Sequence, residues 1–544
     1  MAARYSRYYF YFFLAILSLG AMDLLYISTP AGAGLANDSV AYIAGARSIL
    51  QGKGYTDIWL DSSLEPITHY PPLLSLALAG FGLLGIDPLR GARILNILVY
   101  GANTGLLGIL GWRMSRSQVA GLWLTALFVL NASLLRVHVF ALSEPLFLFL
   151  SLLAFLFFDL SLARPASELH SSISKAVRAR KTVWLVLAGV TCGLAFLTRY
   201  SALALLPTFI LAMFLYQREG SNANSGINTW RAKLTRTILF LAGAIPPMAA
   251  WFLRNKLTAG NTTNRTFQLH PVGAENILPG LYNVSQFLMP IEPWRQALVK
   301  NGLVGWGIAG LGLGLFIWLA FGTRNLLFDR GGNKPQPLTY VTGLYVFGYF
   351  GAVLFSMSFF DASTKFQPRI LAPLYVSGLA LMVVFSTWLW RQNQRIQQGF
   401  VILLAVITLT ISVYGLAQAV VEFKTAGQGY ASWKWHDSLV MASLRELPAG
   451  TAIYTNTPPA VYLVTGRATR TLPTPIDPVD NLPRAEYQKD LAQMRSDLLS
   501  GRAVLALFDT SLEEETNSAQ EIGDFSTGLK LLQKTQGDAL YGKP

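Results

Sequence analysis

Long apolar runs recur along this chain, each long enough to cross a lipid bilayer. A hydrocarbon layer of about 30 Å takes roughly 20 mostly apolar residues as a helix. Inside it every backbone N–H and C=O must be paired within the chain. Runs of that kind lie near residues 8 to 28, 91 to 111, 117 to 135, 139 to 160, 183 to 198, 200 to 216, 237 to 253, 301 to 321, 338 to 358, 370 to 390 and 399 to 420. The expected fold is therefore an α-helical polytopic membrane protein of about eleven transmembrane helices. The run Pro71 to Ile86 is only 16 residues long, opens on Pro71-Pro72 and contains Gly80, Gly82 and Gly85. It reads as a juxtamembrane or re-entrant helix. Arg4 and Arg7 before the first run and Ala31-Gly32-Ala33 after it resemble a secretory leader, but the run exceeds fifteen residues and reads as a retained span.

Composition agrees. The chain is 52% hydrophobic and 13% charged, where a soluble domain carries roughly 25% charged residues, and this excludes a soluble enzyme. Its net charge of +14 would by itself point to nucleic acid. Residues 1 to 420, however, hold 31 Lys and Arg against 14 Asp and Glu, a net of +17, while residues 421 to 544 hold 12 against 15, a net of −3. The basic excess lies entirely in the apolar part, where cytosolic loops collect Lys and Arg, so no nucleic-acid partner is expected.

Eleven crossings with a cytosolic N-terminus put 18 of the 31 basic residues in inner loops: Arg4, Arg7, Arg113, Arg116, Arg164, Lys175, Arg178, Arg180, Lys181, Arg218, Arg231, Lys233, Arg236, Arg324, Arg330, Lys334, Arg391 and Arg395. The same topology places Asp38, Asp57, Asp61, Glu65, Asp87, Glu144, Glu275, Glu292 and Asp361 outside. The expected location is an integral plasma membrane protein. The single cysteine, Cys192, excludes an internal disulfide.

Beyond residue 420 the pattern changes. Ser432 to Leu447 reads as a helix, Thr451 to Thr455 as a strand, Pro459 to Thr465 as a short helix, Pro483 to Ser500 as an amphipathic helix and Arg502 to Phe508 as a buried strand. Strands alternating with helices predict a small α/β domain over 421–544, on the outer side. The only low-complexity tract is the linker Gly220 to Gly226.

The outer loop 29–90 is the most informative segment of the membrane part, 1–420. Val40, Ile43, Ala44, Ala46, Ile49 and Leu50 recur at helical spacing behind Asp38 and Ser39, which predicts a helix lying on the membrane surface with Asp38 as its N-cap. Capping alone accounts for an Asp there. A carboxylate fixed at the membrane boundary is also suited to be a general base.

Asn37-Asp38-Ser39-Val40-Ala41-Tyr42 after the first span, and Thr68-His69-Tyr70-Pro71-Pro72-Leu73 before the second, resemble the GT-C superfamily of membrane glycosyltransferases. Within that superfamily the chain resembles the bacterial branch related to protein O-mannosyltransferases and the aminoarabinose transferase of lipid A. Ser143-Glu144-Pro145-Leu146, the stretch Gly193 to Tyr200 and Arg369-Ile370-Leu371-Ala372-Pro373 extend the likeness over roughly residues 10 to 390. The resemblance implies an inverting transfer of a sugar from a polyprenyl-phosphate carrier to an envelope acceptor (lipid, glycan or protein) at the outer face. Carried over by motif, Asp38 is the general base and Glu144 a second acidic group of the same cavity. His69 stands where some relatives place a metal or phosphate contact, so a divalent metal is a further implied partner, although a lone His needs other ligands in space.

For the phosphate the candidates are Arg369 and Arg199, then Arg254 and Lys365, with Tyr70 at the loop turn. Arg is preferred because its guanidinium binds phosphate bidentately. Snorkelling to headgroups accounts equally for an Arg at a helix end. An acidic residue just inside an apolar run is paired or functional as a rule, and for Glu144 the nearby Arg136 and His138 are candidate neutralisers. Asp23 has no motif behind it. Tyr8 to Tyr11, Trp433 and Trp435 read as interface aromatics, and the sequons at Asn261 and Asn264 as chance. Two alternatives stand beside the transferase: a transporter or flippase of lipid-linked sugars, and a noncatalytic envelope scaffold worked by its tail. Against the flippase, no inverted repeat is seen.

Overall fold

A computed structural model of the chain describes residues 2–61, 64–162, 175–216, 226–262, 267–269, 271–328, 334–360, 364–476, 482–509, 525–535 and 537–544. Arg164, Arg218, Arg330, Asp361, the sequon at Asn264 and nearly all of the Gly220 to Gly226 linker lie outside the described residues.

The chain opens with α1 (Ala2–Ser28), followed by a first loop that carries α2 (Asn37–Leu50) and α3 (Leu73–Leu83). Next come α4 (Pro88–Ser115), α5 (Gln118–Leu130), α6 (Ala132–Val139), α7 (Glu144–Leu162) and α8 (Lys175–Phe196). A 3-10 turn over Tyr200–Ala204 leads into α9 (Leu205–Leu215), and α10 (Gly226–Ala259) follows. A second loop holds α11 (Ala274–Leu288) and α12 (Glu292–Lys300). Then α13 (Leu303–Phe328), α14 (Pro337–Phe359), α15 (Pro368–Arg391) and α16 (Arg395–Ala426) complete the bundle.

Among the described residues nine helices are long and apolar enough to cross a membrane, and the pair α5 and α6 makes a tenth if its two halves, bent by 64°, are one span. The bend falls at Asn131, whose side chain accepts from the Leu134 N–H and so caps α6 where α5 stops. The expected span 200 to 216 is the 3-10 turn plus α9, Tyr200–Leu215, shorter than the other spans.

Contacts between helix ends divide the bundle into two ends. At one, Ser6 bonds Gln118 (2.6 Å), Gln336 donates to the Arg113 carbonyl (3.2 Å), Arg391 to the Arg116 carbonyl (3.2 Å) and Tyr216 to the Pro335 carbonyl (3.0 Å). At the other, the Leu73 N–H donates to Leu197 (2.9 Å), Gly34 to Val139 (3.0 Å), Gln268 to Phe359 (3.1 Å) and Tyr200 to Thr68 (3.0 Å). Among the described residues, the shorter apolar stretch Tyr200–Leu215 also starts at the second end, beside Thr68, and finishes at the first, beside Pro335. The helix α3 is no passage: it starts beside Leu197, and Asp87 behind it caps α4 at the same end by accepting from the Leu89 N–H. α8 and α10 press so closely that a Cβ on Gly189 or Gly243 would strike the other helix's backbone, a contact only glycine permits.

The tail has α17 (Trp433–His436), α18 (Leu439–Glu446), β1 (Ala452–Thr455), α19 (Pro458–Thr465), β2 (Arg470–Thr471), α20 (Tyr487–Ser500), β3 (Ala503–Leu507), β4 (Lys530–Lys534) and β5 (Ala539–Gly542). Its sheet runs β2-β1-β3-β5-β4, with β1 parallel to β2 and β3, and β5 antiparallel to β3 and β4. The stretch expected as one helix over Ser432 to Leu447 is two, because Ser438 caps α18 anew by accepting from Met441. Trp435 is no interface aromatic. It is buried in the tail core with Val440, Met441, Leu444 and Phe508.

The tail seats on the first loop. Tyr430 N–H donates to the Leu35 carbonyl (2.9 Å) and Leu35 N–H to Gln428 (3.2 Å). Thr469 N–H donates to Trp59 (3.0 Å) and Asp61 N–H to Thr469 (2.7 Å). Arg470 Nε reaches Asp61 at 2.9 Å. At the junction Gly429 has φ +59, and a Cβ there would run into the Leu35 carbonyl. Gly429→Ala combines left-handed strain with that clash, each costing on the order of 1 kcal/mol or more. Faster amide exchange at Leu35 and Tyr430 is the expected result, and unchanged exchange at both would refute it.

Candidate active site

The helix α2 begins at Asn37, and the group that closes its first turn is Ser39, whose hydroxyl accepts from the Ala36 N–H (2.9 Å). Asp38 is therefore not the cap expected of it, and its carboxylate is free to point elsewhere. One oxygen accepts from the Tyr70 hydroxyl at 3.0 Å, and the other is hydrogen-bonded and ion-paired to Arg369 Nη1. One helical turn on, Tyr42 packs edge-on to the Tyr70 ring (centroids 5.4 Å, 68°) and donates to Ser143 Oγ at 3.1 Å.

Ser143 introduces the next acid. Glu144 is the first residue of α7, where the helix dipole favours a negative charge. Its side chain is 4% exposed, with Arg199 Nη1 at 2.5 Å and Arg369 Nε at 3.7 Å from Oε1. Neither Glu144 oxygen receives an aligned hydrogen bond, so charge alone holds the group. Arg136 and His138, the neutralisers nearest in sequence, are used elsewhere. Arg136 pairs with Glu422 at 2.8 Å, and the buried His138 ring lies between Asn103 Nδ2 and the Leu134 carbonyl.

Two carboxylates and two guanidiniums thus interleave at the loop-bearing end of the bundle, Asp38 and Arg369 being 331 residues apart in the chain. Gln367 steadies the arrangement by accepting from Arg369 Nε at 2.7 Å. Burial raises the Asp38 carboxyl, but the charge and hydrogen bond of Arg369 with the hydroxyl of Tyr70 overcome it and hold the group below the usual carboxylate value. The same burial, with the charges of the neighbouring carboxylates, pushes the Tyr42 and Tyr70 hydroxyls up, so both remain protonated donors.

The other nominated residues have different surroundings. Arg254 donates to the carbonyls of Ile67 (2.6 Å) and Tyr55 (2.7 Å) and lies over the Tyr55 and Trp251 rings, which ties the first loop to α10. Lys365 lies four residues before Arg369 in the segment leading into α15, its carbonyl accepting from the Gln367 N–H (2.7 Å). His69 packs against Tyr70 (centroids 4.9 Å). Among the described residues no group of three or more His, Cys, Asp and Glu side chains comes together to hold a metal ion. Arg369 contacts both Asp38 and Glu144, so a guanidinium stands between these two carboxylates. Sequence reasoning missed Tyr42 and Ser143 as members of the site. The signal for Tyr42 was its place four residues after Asp38, on the same helix face.

Residues 65–257 match the sequence profile of the family described as dolichyl-phosphate-mannose-protein mannosyltransferase. That segment contains Tyr70, Glu144, Arg199 and Arg254 but neither Asp38 nor Arg369. A search of curated proteins finds no significant match. Solved structures similar to the chain include ArnT from Cupriavidus metallidurans bound to undecaprenyl phosphate, at 13% identity and a TM-score of 0.54, over 97% of both chains. The Archaeoglobus fulgidus oligosaccharyltransferase tethered with an acceptor peptide gives 12% identity and a TM-score of 0.56, over all of this chain and 75% of the other. The same organism's enzyme AglB, in complex with an inhibitory peptide and a dolichol-phosphate, gives 14% and 0.51, over 94% and 70%. This integral membrane protein therefore shares its overall fold with these membrane-bound transferase structures, and its residues 65–257 are similar to the dolichyl-phosphate-mannose-protein mannosyltransferase family.

Proposed function

We propose that the protein transfers a sugar from a polyprenyl-phosphate donor to an envelope acceptor at the outer face of the plasma membrane, inverting the anomeric carbon. The observation that carries this reading is the position of Arg369, in contact with the ionised Asp38 and within 3.7 Å of Glu144, with Arg199 beside them. In the proposed step an acceptor hydroxyl or amine attacks the anomeric carbon while the bond from that carbon to the phosphate oxygen breaks. The polyprenyl phosphate leaves with the electron pair, and the acceptor's proton passes to Asp38. The leaving phosphate needs its growing charge matched more than it needs a proton, which is the work of Arg369 and Arg199. Donor binding draws Arg369 toward the phosphate and frees Asp38 to meet the acceptor. ArnT binding undecaprenyl phosphate and AglB binding a dolichol-phosphate and a peptide support this assignment of donor and acceptor classes.

The sidedness follows the charges. The end opposite the site carries Arg7, Arg113, Arg116, Arg180, Arg231, Lys233, Arg324 and Arg391 at or near helix ends, as a cytosolic face does. The N-terminus is then cytosolic and the tail, seated on the first loop, extracytosolic and placed to hold the acceptor.

The test is transfer of labelled sugar from a panel of polyprenyl-phosphate donors to native envelope lipids and proteins by the purified protein in bilayers. Label in a new glycosidic product supports the reading, and lipid crossing the bilayer with no such product from any donor overturns it. The low pKa of Asp38 adds a pH prediction. A carboxylate depressed in the folded state stays charged as pH falls through the ordinary Asp value of about 4, and its stabilising pairing is lost only below that. On the acid side, transfer holds level down to about pH 5. A half-maximal rate between pH 6 and 7 traced to Asp38 would contradict this.

A further inference from the structure

The mechanism leaves one member of the site without an office. Glu144 looks like a second catalytic acid in sequence, yet both its oxygens are sealed from solvent and neither has a hydrogen-bond partner. So enclosed, the carboxylate is turned toward its cations and is not presented at the open side of the site. Its contacts are with the two guanidiniums to which the proposed step gives the phosphate, Arg199 at 2.5 Å and Arg369 at 3.7 Å.

The site therefore balances: Asp38 and Glu144 against Arg199 and Arg369. A polyprenyl-phosphate sugar is a phosphodiester with one negative charge, whereas the spent carrier is a monoester that approaches two at neutral pH. Cations strong enough to match the leaving group would also retain the product, and tight binding of that kind does not speed turnover. A fixed anion behind the cations limits it.

We propose, resting on the transferase reading, that Glu144 is a positioning counter-charge that competes with phosphate for Arg199 and Arg369 and so sets the release of the spent carrier. Neutralising it leaves two half-buried guanidiniums with less compensation, and a phosphate then binds where the carboxylate's charge had been felt.

The experiment measures the affinity of undecaprenyl phosphate for the full-length protein in nanodiscs, wild type against Glu144→Gln and Glu144→Asp, with thermal unfolding of each. The Gln variant is expected to bind about tenfold more tightly, a change of ~1.4 kcal/mol. Lower KM for the donor, lower kcat and deeper inhibition by added undecaprenyl phosphate accompany it. A group with a purely structural role would not tighten product binding, and a proton donor would lower kcat at unchanged affinity. The Asp variant keeps the charge but draws it back, and tightens by a smaller factor. If Glu144→Gln fails to fold, the Asp variant decides, and unchanged or weaker binding there overturns the proposal. Wild type that binds undecaprenyl phosphate without tightening in Glu144→Gln sinks this inference alone, whereas wild type that does not bind it at all sinks the transferase reading with it.

Discussion

Asp38→Asn is expected to lower sugar transfer by about 10²- to 10⁴-fold, the usual contribution of a positioned general base, while donor binding is kept or strengthened. Asparagine has the same size as aspartate, and its amide oxygen still accepts either from the Tyr70 hydroxyl or from Arg369 Nη1, the two donors that hold the carboxylate. The first turn of α2 does not depend on the side chain, because Ser39 closes it. What the variant lacks is the ability to take a proton. It also removes one of the two anions that occupy Arg369, so the phosphate meets less competition for that cation. The measurement is single-turnover transfer of labelled sugar beside donor binding on the same preparations. A carboxylate that served only as counter-ion to Arg369 would predict weak dependence of turnover on its charge. Transfer by Asp38→Asn within a few-fold of wild type would remove the base from the mechanism.

How much of this was legible in the sequence depends on the range over which each feature is encoded. Apolar runs are local, and the spans they mark are helices of the bundle, with the ends shifted by a few residues. The break between α5 and α6 was not visible, because Leu, Val and Ala run almost unbroken on both sides of Asn131. The bend rests on that one side chain accepting from the Leu134 N–H while its amide donates to Phe287 and Tyr375. Strand β4 was missed for a similar reason: Lys530 to Lys534 lacks apolar alternation, and it is an edge strand with Leu531 and Leu532 exposed. In the site, motif order nominated Asp38, Glu144, Arg199 and Arg369, but pairing is a property of the packed bundle. Nearness in the chain assigned Arg136 to Glu144, whereas the ends of α6 and α16 meet and give Arg136 to Glu422. Arg254 had the right residue type at the right end, and its nitrogens are taken by two loop carbonyls. Whether a guanidinium faces a phosphate or its own backbone is decided by tertiary contacts that no local motif records.

Arg369→Lys is the substitution that separates a shaped cation from a mere charge. Arg369 engages three groups in different directions: Asp38 through Nη1, Gln367 through Nε at 2.7 Å, and Glu144 from Nε at 3.7 Å. A planar fork reaches them together, and an ammonium on a flexible stem is a single point that sits near one at a time. Lysine retains the charge, so the bundle's end is spared the unpaired carboxylates that a neutral residue would leave. The expected loss in kcat/KM is about 10²- to 10³-fold, the range seen when one preorganised donor to a developing anion is removed. It falls on kcat as well as KM, because the leaving phosphate gains charge only as the bond to the sugar breaks. Arg199→Lys should lose less, since Arg199 contacts Glu144 and Ser143 and does not reach Asp38 through any hydrogen bond or ion pair. If Arg369→Lys transfers sugar within about threefold of wild type, charge alone suffices at this position. The fork geometry then plays no part in catalysis, and phosphate recognition has to rest on Arg199 and the residues around it.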